Sequence, residues 1–517
     1  MRSRCPSIST WWGVEAVRFP SFDGIRSAPG EPLDLWTTNY SSGSRRGLLP
    51  VFMNDDPYRG TLYQDHASGQ QRPKLLANPT SPFSIIAGAR GGFILEPAMH
   101  TQNSIGWRVN LVPGFADRVA RTPSEQATIA VDVIQVPVSG RDVVPVTLTA
   151  FDGAWTTALI GPRSAHGAAF ASPAVWLHEP RSWFQVQLMS TECERRYDFA
   201  QIAILARECA ESSIRIIQVA GLNEGGQDGL VPVNRPAEVL GGTTGLIEAL
   251  DVARGLGVTT ILYTKHQWVE HPSPHWSDFE HEVCLDELSQ PYVQPGPVYY
   301  TTRKRYGMST SSYLPLCLSS ARLRARFAEE VRKMAEWCAD GVLLDESRYH
   351  GRSLLCFAEH HDHQQGASTY SWDRVLVDEL RSAAHAVNLE FVLAAEGAYD
   401  AQFEYYDVWY FRSWSPTHEP TGSDDRGMVH QALRFGYGLS FEPLNFTGRL
   451  SDKTLTIAYS VQSHRLRARF ANWLCNGEFV TLEDAGVSTQ PTSRDRVRRM
   501  GARRLRCGIR RYERHRR

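Results

Sequence analysis

Two short stretches carry residues of the kind that could break a bond. Residues 340–346 read DGVLLDE and residues 391–396 read FVLAAE, so each runs through apolar residues into an acid, Asp345 and Glu396. A glycosidic bond is cleaved by such a pair. One carboxylic acid protonates the departing oxygen, and the other attacks the anomeric carbon or activates water. If the two runs are neighbouring strands, about 4.8 Å apart, the carboxyls come near the separation of about 5–5.5 Å that double displacement requires. A buried glutamic acid beside an aspartate is also expected to hold its proton to higher pH, as a general acid must. Glu346, one residue on, is expected to alternate to the opposite face, toward the helices or the rim. Glu442, at the end of a later apolar run, competes for the second carboxylate role. Each acid also has a plain structural reading: it could cap a helix or pair with Arg412.

Other polar and aromatic residues follow apolar runs in the same way. The loop 221–228, GLNEGGQD, offers Asn223, Glu224 and Asp228 to sugar hydroxyls. Its Gly225-Gly226 pair lacks the strand–GxGxxG–helix setting of a phosphate cradle. Lys265 and Arg412 could each hold a sugar oxygen, and Lys265 could instead lower the pKa of the nucleophile. Trp268, Trp276 and Trp414 could stack on pyranose faces. His360, His361 and His363 with Asp362 raise the question of a metal, since imidazole and carboxylate suit zinc or manganese. They lack the i, i+4 spacing of a helical zinc motif. His361 and His363 are therefore assigned to hydroxyl binding, and neither metal nor cofactor is expected. A metal-dependent hydrolase built on residues 360–363 is an alternative.

The elements that would place these residues show in the hydrophobic pattern. Apolar runs at 183–189, 214–220, 258–263, 341–345, 391–395, 407–411 and 438–441 alternate with helical patterns. Leu246, Ala249, Leu250, Ala253 and Leu256 share one helical face that ends at Gly257. Leu323, Phe327, Val331, Met334 and Cys338 share another, with Ser319 or Ser320 as N-cap. Strands that alternate with crossover helices predict a parallel sheet, and their number predicts a (β/α)₈ barrel, whose reactive groups stand at the C-terminal strand ends. An eighth strand is expected within 455–480. Upstream, residues 25–152 are rich in turn formers between short alternating segments. Ile129, Val131 and Val133 share one face, and Val146, Leu148 and Ala150 another, which predicts an antiparallel β-sandwich. The expected organisation is an extension over 1–24, the sandwich over 25–152, a connector over 153–182, the barrel over 183–475 and a C-terminal segment over 476–517.

Several of these motifs together resemble a known family. WFQVQL at 183–188, GLNEGGQD at 221–228, LGG at 240–242, ILYTK at 261–265, DGVLLD at 340–345 and AEG at 395–397 are similar to an uncharacterised glycoside-hydrolase-like family, domain of unknown function 6259. The likeness covers roughly 155–475. It implies a β-sandwich ahead of a TIM barrel. The Asp at the end of strand four and the Glu at the end of strand five resemble the layout of endo-α-N-acetylgalactosaminidases, which retain anomeric configuration. That layout implies Asp345 as nucleophile and Glu396 as acid/base. Residues 356–363, CFAEHHDH, and the arginine-rich C-terminus depart from the family pattern.

Composition bounds the possibilities. With 42% hydrophobic and 21% charged residues the chain is neither disordered nor fibrous. No apolar run reaches the ~18 residues of a membrane span. Residues 1–20 hold no continuous apolar stretch, which leads to an expectation of cytoplasmic location. The net charge of −1 conceals twelve Arg within 494–517; the remainder carries 43 basic and 54 acidic residues. An acidic body suits a neutral glycan rather than nucleic acid. The nine cysteines include no CxxC pair, which favours free thiols over a disulfide framework. A carbohydrate-binding protein that kept the barrel without turnover is the rival from another class.

Overall fold

In a computed structural model, the structure describes residues 17–25, 33–39, 45–49, 79–98, 104–112, 128–136, 143–155, 158, 174–179, 181–295, 312–347, 354–396, 402, 404–410, 429, 438–443, 446–470, 478–479 and 509–510. The central element is a seven-stranded parallel sheet. Its strands are β1 (Trp183–Gln187), β2 (Ile216–Ala220), β3 (Thr259–Thr264), β4 (Gly341–Leu344), β5 (Val392–Glu396), β6 (Val408–Tyr410) and β7 (Ser440–Phe441). Neighbours run in the order β6-β5-β4-β3-β2-β1-β7. Strands β1 to β6 thus pair in chain order, and the sheet curls until β7 lies on the outer side of β1, Ser440 opposite Trp183. All seven strands fall where the apolar runs predict them. β1 to β5, buried on both faces, read as continuous apolar segments, which makes them visible in sequence.

Helices α1 (Phe199–Glu211), α2 (Gly242–Gly255), α3 (Ala321–Glu336) and α4 (Asp373–His385) form the crossovers. The apolar stripes pack as expected: Leu246, Ala249, Leu250 and Ala253 of α2 are buried, as are Leu323, Phe327, Val331 and Met334 of α3. Ser320 is the N-cap of α3, its side chain accepting from Leu323 N at 3.2 Å. Gly257, at φ 70, follows α2 in the left-handed region.

Two apolar layers result. The larger lies between strands and helices and includes Phe184, Leu262, Phe327, Leu344 and Leu393. The smaller is formed by Ile216, Ala220, Ile261, Tyr263, Leu343 and Ala394, all from strands. Side chains alternate along a strand. This inner set therefore fixes which faces of β3, β4 and β5 point into the curl.

Among the described residues, the stretch expected to hold the eighth strand is arranged otherwise, and 471–477 and 480 lie outside the described residues. Residues Thr454–Arg469 form a helix, and Glu478–Phe479 pair antiparallel with Ile509–Arg510 rather than with the barrel sheet. In the N-terminal region two antiparallel sheets stand where a sandwich was expected. In one, Thr128–Val136 lies between Val17–Ile25 and Ser104–Val112 and pairs with both; the other contains five strands from Leu33–Asn39 to Val146–Asp152. Val131 and Val133 are buried as predicted, whereas Leu148 is 46% exposed, so the second alternating face is not a covered one. Among the described residues no helix is long and apolar enough to cross a membrane.

Candidate active site

The register of the sheet brings the two acids together. Leu344 pairs with Ala395, so Asp345 and Glu396 are the next residues on adjacent strand ends. The backbone N–H of Asp345 donates to Thr264 O at 2.9 Å, continuing the β3–β4 ladder to this residue. Leu343 and Ala394 belong to the inner layer, and two residues on, Asp345 and Glu396 share their faces. Both acids are thus directed over the mouth of the curled sheet. Glu396 is 8% exposed and the Asp345 side chain 16%.

The turn after β4 is locked onto β5. The Ser347 hydroxyl donates to Glu396 O at 3.0 Å, and Glu396 N donates back to Ser347 Oγ at 3.1 Å. Glu346 N donates to Glu396 Oε2 at 3.3 Å. This overturns the expected placement of Glu346. Strand geometry ends at Leu344, and Glu346 adopts φ 47. The alternation rule no longer applies there, and its side chain is buried with Oε2 2.9 Å from Lys265 Nζ.

Lys265 follows β3 and shares parity with Ile261 and Tyr263 of the inner layer. Its Nζ lies 3.6 Å from Asp345 Oδ2 and is packed against the rings of Trp268 and Tyr313. Burial alone would pull its pKa down, but Asp228, Glu346 and Asp345 together hold it above the ordinary lysine range. Tyr263 completes the group, its hydroxyl 2.6 Å from Asp345 Oδ2 and 2.7 Å from Asp228 Oδ1. A phenol carries one proton and can donate to one carboxylate at a time. The trio is satisfied when Asp228 brings its own proton. Burial does push Asp228 up, to about 6, with Lys265 opposing. Asp345 thus has a hydroxyl donor at 2.6 Å and the Lys265 cation at 3.6 Å.

The loop carrying Asp228 depends on its glycines. A Cβ on Gly226, at φ +77, would sit 1.8 Å from Ser190 O, so the Gly-Gly pair serves a close backbone approach. Asn223 is buried and used within the loop: Nδ2 donates to Asn234 Oδ1 at 2.9 Å, and Oδ1 accepts from Arg235 N at 3.0 Å. Glu224 stands at the rim, 3.7 Å from Arg235 Nε. Trp268 is only 2% exposed, in a cluster with Val231 and Tyr313. The expected stacking ring therefore packs against Lys265 instead of lying open. Trp276 is partly buried and edge-on to His271.

Glu442 follows β7, where its carboxylate accepts from the Tyr410 hydroxyl at the end of β6. Tyr410 is itself paired with Glu396 across β5 and β6. Burial pushes Glu442 up to about 8. His361 and His363 lie elsewhere, with both ring nitrogens of each engaged by protein atoms: Cys356, Cys317 and the carbonyls of His281 and Gln364. Arg412 and Trp414 lie outside the described residues. Tyr263, Ser347 and Tyr410 were not among the predicted site residues, although ILYTK places Tyr263 on the same face as Lys265.

No protein-family model matches the chain, and no curated protein matches it in sequence. The likeness to domain 6259 thus rests on the motifs quoted above. Solved structures do match. The ligand-free α-N-acetylgalactosaminidase NagBb from Bifidobacterium bifidum aligns with a TM-score of 0.61 at 12% identity, covering 90% of this chain and 78% of its own. The α-galactosidase TtGalA from Thermus thermophilus, in complex with stachyose, aligns at 0.53 and 12%, covering 86% and 93%. The GH36 α-galactosidase AgaA from Geobacillus stearothermophilus aligns at 0.53 and 10%, covering 87% and 63%. The fold is therefore similar to that of glycoside hydrolases of this kind.

Proposed function

We propose that the protein is a retaining glycoside hydrolase with Asp345 as nucleophile and Glu396 as acid/base. The observation that carries this reading is the placement of the two acids on the inner faces of adjacent strand ends, with Tyr263 and Lys265 on Asp345. Asp345 attacks the anomeric carbon. Glu396 protonates the leaving oxygen and then takes the proton of the water that releases the sugar. Asp228, Lys265 and Glu346 order the base of the site, and the mechanism uses no cofactor. The similar folds of NagBb, TtGalA and AgaA support an α-linked galactose or N-acetylgalactosamine as the sugar to try first. In this reading the barrel over 183–475 carries the chemistry and the 25–152 region is a separate unit ahead of it.

A second assignment has its own support. Glu442, held protonated to about pH 8, has the proton a general acid needs. Aryl α-galactosides and α-N-acetylgalactosaminides test the function. Hydrolysis that gives the α-anomer first, seen by proton NMR, is the expected result. A β-anomer formed first overturns retention, and binding without turnover, unchanged in Asp345→Asn, leaves a carbohydrate-binding protein.

A further inference from the structure

A second polar cluster, apart from the acid pair and its neighbours, is used by none of the steps above. Cys317 follows the strand Ser312–Pro315, Cys356 lies in the short strand Leu355–Cys356, and His361 and His363 occupy the loop after it. One ligand atom from each of the four comes within 4.8 Å of all the others. Cys356 Sγ is 3.2 Å from His361 Nδ1, and Cys317 Sγ is 3.3 Å from His363 Nε2. In a tetrahedral zinc centre, with bonds of about 2.3 Å to sulfur and 2.0 Å to nitrogen, a sulfur–nitrogen edge spans about 3.5 Å. The observed spacing is already that of such an edge.

The outer nitrogens fit as well. His361 Nε2 lies 2.8 Å from His281 O and His363 Nδ1 2.8 Å from Gln364 O. Each carbonyl takes the N–H of one nitrogen and leaves the lone pair of the other facing the sulfurs, the arrangement that orients imidazole ligands on a metal. A third thiol, Cys284, is buried in the same cluster as Cys317 and Cys356 but is not one of the four.

We propose that Cys317, Cys356, His361 and His363 bind one zinc ion as a structural centre. Two thiolates and two imidazoles supply all four positions, so the site is closed and leaves none for a substrate or a reactive water. The nearby exposed His360 and Asp362 lie outside this set. The ion joins the segment after β3 to the segment after β4. From Cys317 the connection to the acid pair is short: Leu316 N donates to Gln267 O at 2.9 Å, and Gln267 Nε2 donates to Ser347 O at 3.2 Å. Ser347 is the residue that bridges to Glu396.

Metal analysis of the full chain, expressed in zinc-supplemented medium and purified reduced, tests this without reference to any glycosidase activity. The wild type is expected to hold about one zinc per chain, and Cys284→Ala to hold as much. The double variant Cys317→Ser/His363→Ala is expected to hold none. Cobalt added to the metal-free wild type should give the intense visible bands of a tetrahedral thiolate complex, a measurement that stands even if the double variant does not fold. Wild-type protein that carries no zinc and develops no cobalt bands overturns the site. Loss of zinc in Cys284→Ala overturns the donor set.

Discussion

The group of residues around Lys265 and the cluster around Cys317 and Cys356 are organised in opposite ways. Around Lys265 the groups are mismatched in number, with Asp228, Asp345 and Glu346 facing one cation, and Asp345 remains partly open. Around Cys317 and Cys356 each imidazole has one nitrogen on a sulfur and the other on a backbone carbonyl. Surplus negative charge beside an accessible carboxylate is what a site needs if charge must appear and vanish during reaction. Complete internal pairing is what a site needs if it only has to stay closed. Both clusters draw on loops after strand ends, so their position in the chain does not tell them apart. Where the second partner of each polar atom lies does.

The sharpest way to break that comparison is to remove the accessible carboxylate. Asp345→Asn should lower kcat/KM by about 10⁴-fold or more, as removal of a nucleophile does, measured on whichever aryl glycoside the wild type cleaves. Its melting temperature should stay near that of the wild type. Activity within tenfold of wild type ends the case for Asp345. Next in size is the acid/base group. Glu396→Ala should lose about 10²–10⁴-fold on substrates with poor leaving groups and recover with azide on an activated one, forming a glycosyl azide. Azide rescue of Glu442→Ala instead would move the role to Glu442.

Glu442 also offers a pH test of moderate size. Burial raises its pKa in the fold from the ordinary 4.5 to about 8. A group raised in this way contributes fully below its unfolded pKa and loses that contribution as pH rises through the folded one. Stability should therefore decline between pH 4.5 and 8, by at most about 1.4 kcal/mol per pH unit from this group. Urea denaturation across that window should show a shallower decline in Glu442→Gln. An unchanged slope would mean that the carboxylate is not desolvated as the packing around Tyr410 implies.

How much of this the sequence reveals depends on how far each element obeys a simple period. The seven strands and the Asp345/Glu396 pair do, because an acid that interrupts a buried apolar run is conspicuous. Glu346 does not, since the strand ends before it and a left-handed residue redirects its side chain. The helix Thr454–Arg469 is hidden for another reason. Its buried face includes Ser460, Ser463, His464 and Arg467 with Ile457, while Leu455 is 86% exposed, so its apolar residues carry no helical period. With Leu455, Thr456, Ile457, Tyr459 and Val461 near its start, it reads as extended. The thiol cluster is hidden by distance, since its cysteines come from separate segments with no CxxC spacing and only the short spacing of His361 and His363 marks it.

The smallest expected effect concerns Asn223, which the sequence alone assigns to a sugar hydroxyl. Its amide is spent on Asn234 and on the Arg235 backbone, and Asn234 N in turn donates to Glu330 Oε2 at 2.9 Å. Those bonds hold the return of the glycine-rich loop, whose far end carries Asp228. Asn223→Ala leaves buried partners unsatisfied and should cost about 1–3 kcal/mol of stability, visible in urea denaturation. Catalysis should change far less, with KM within about threefold of wild type, because no sugar contact is lost. A large rise in KM with unchanged stability would place Asn223 among the groups that face the substrate. The boundary between the reactive cluster and its scaffold would then lie one loop further out than the hydrogen bonds draw it.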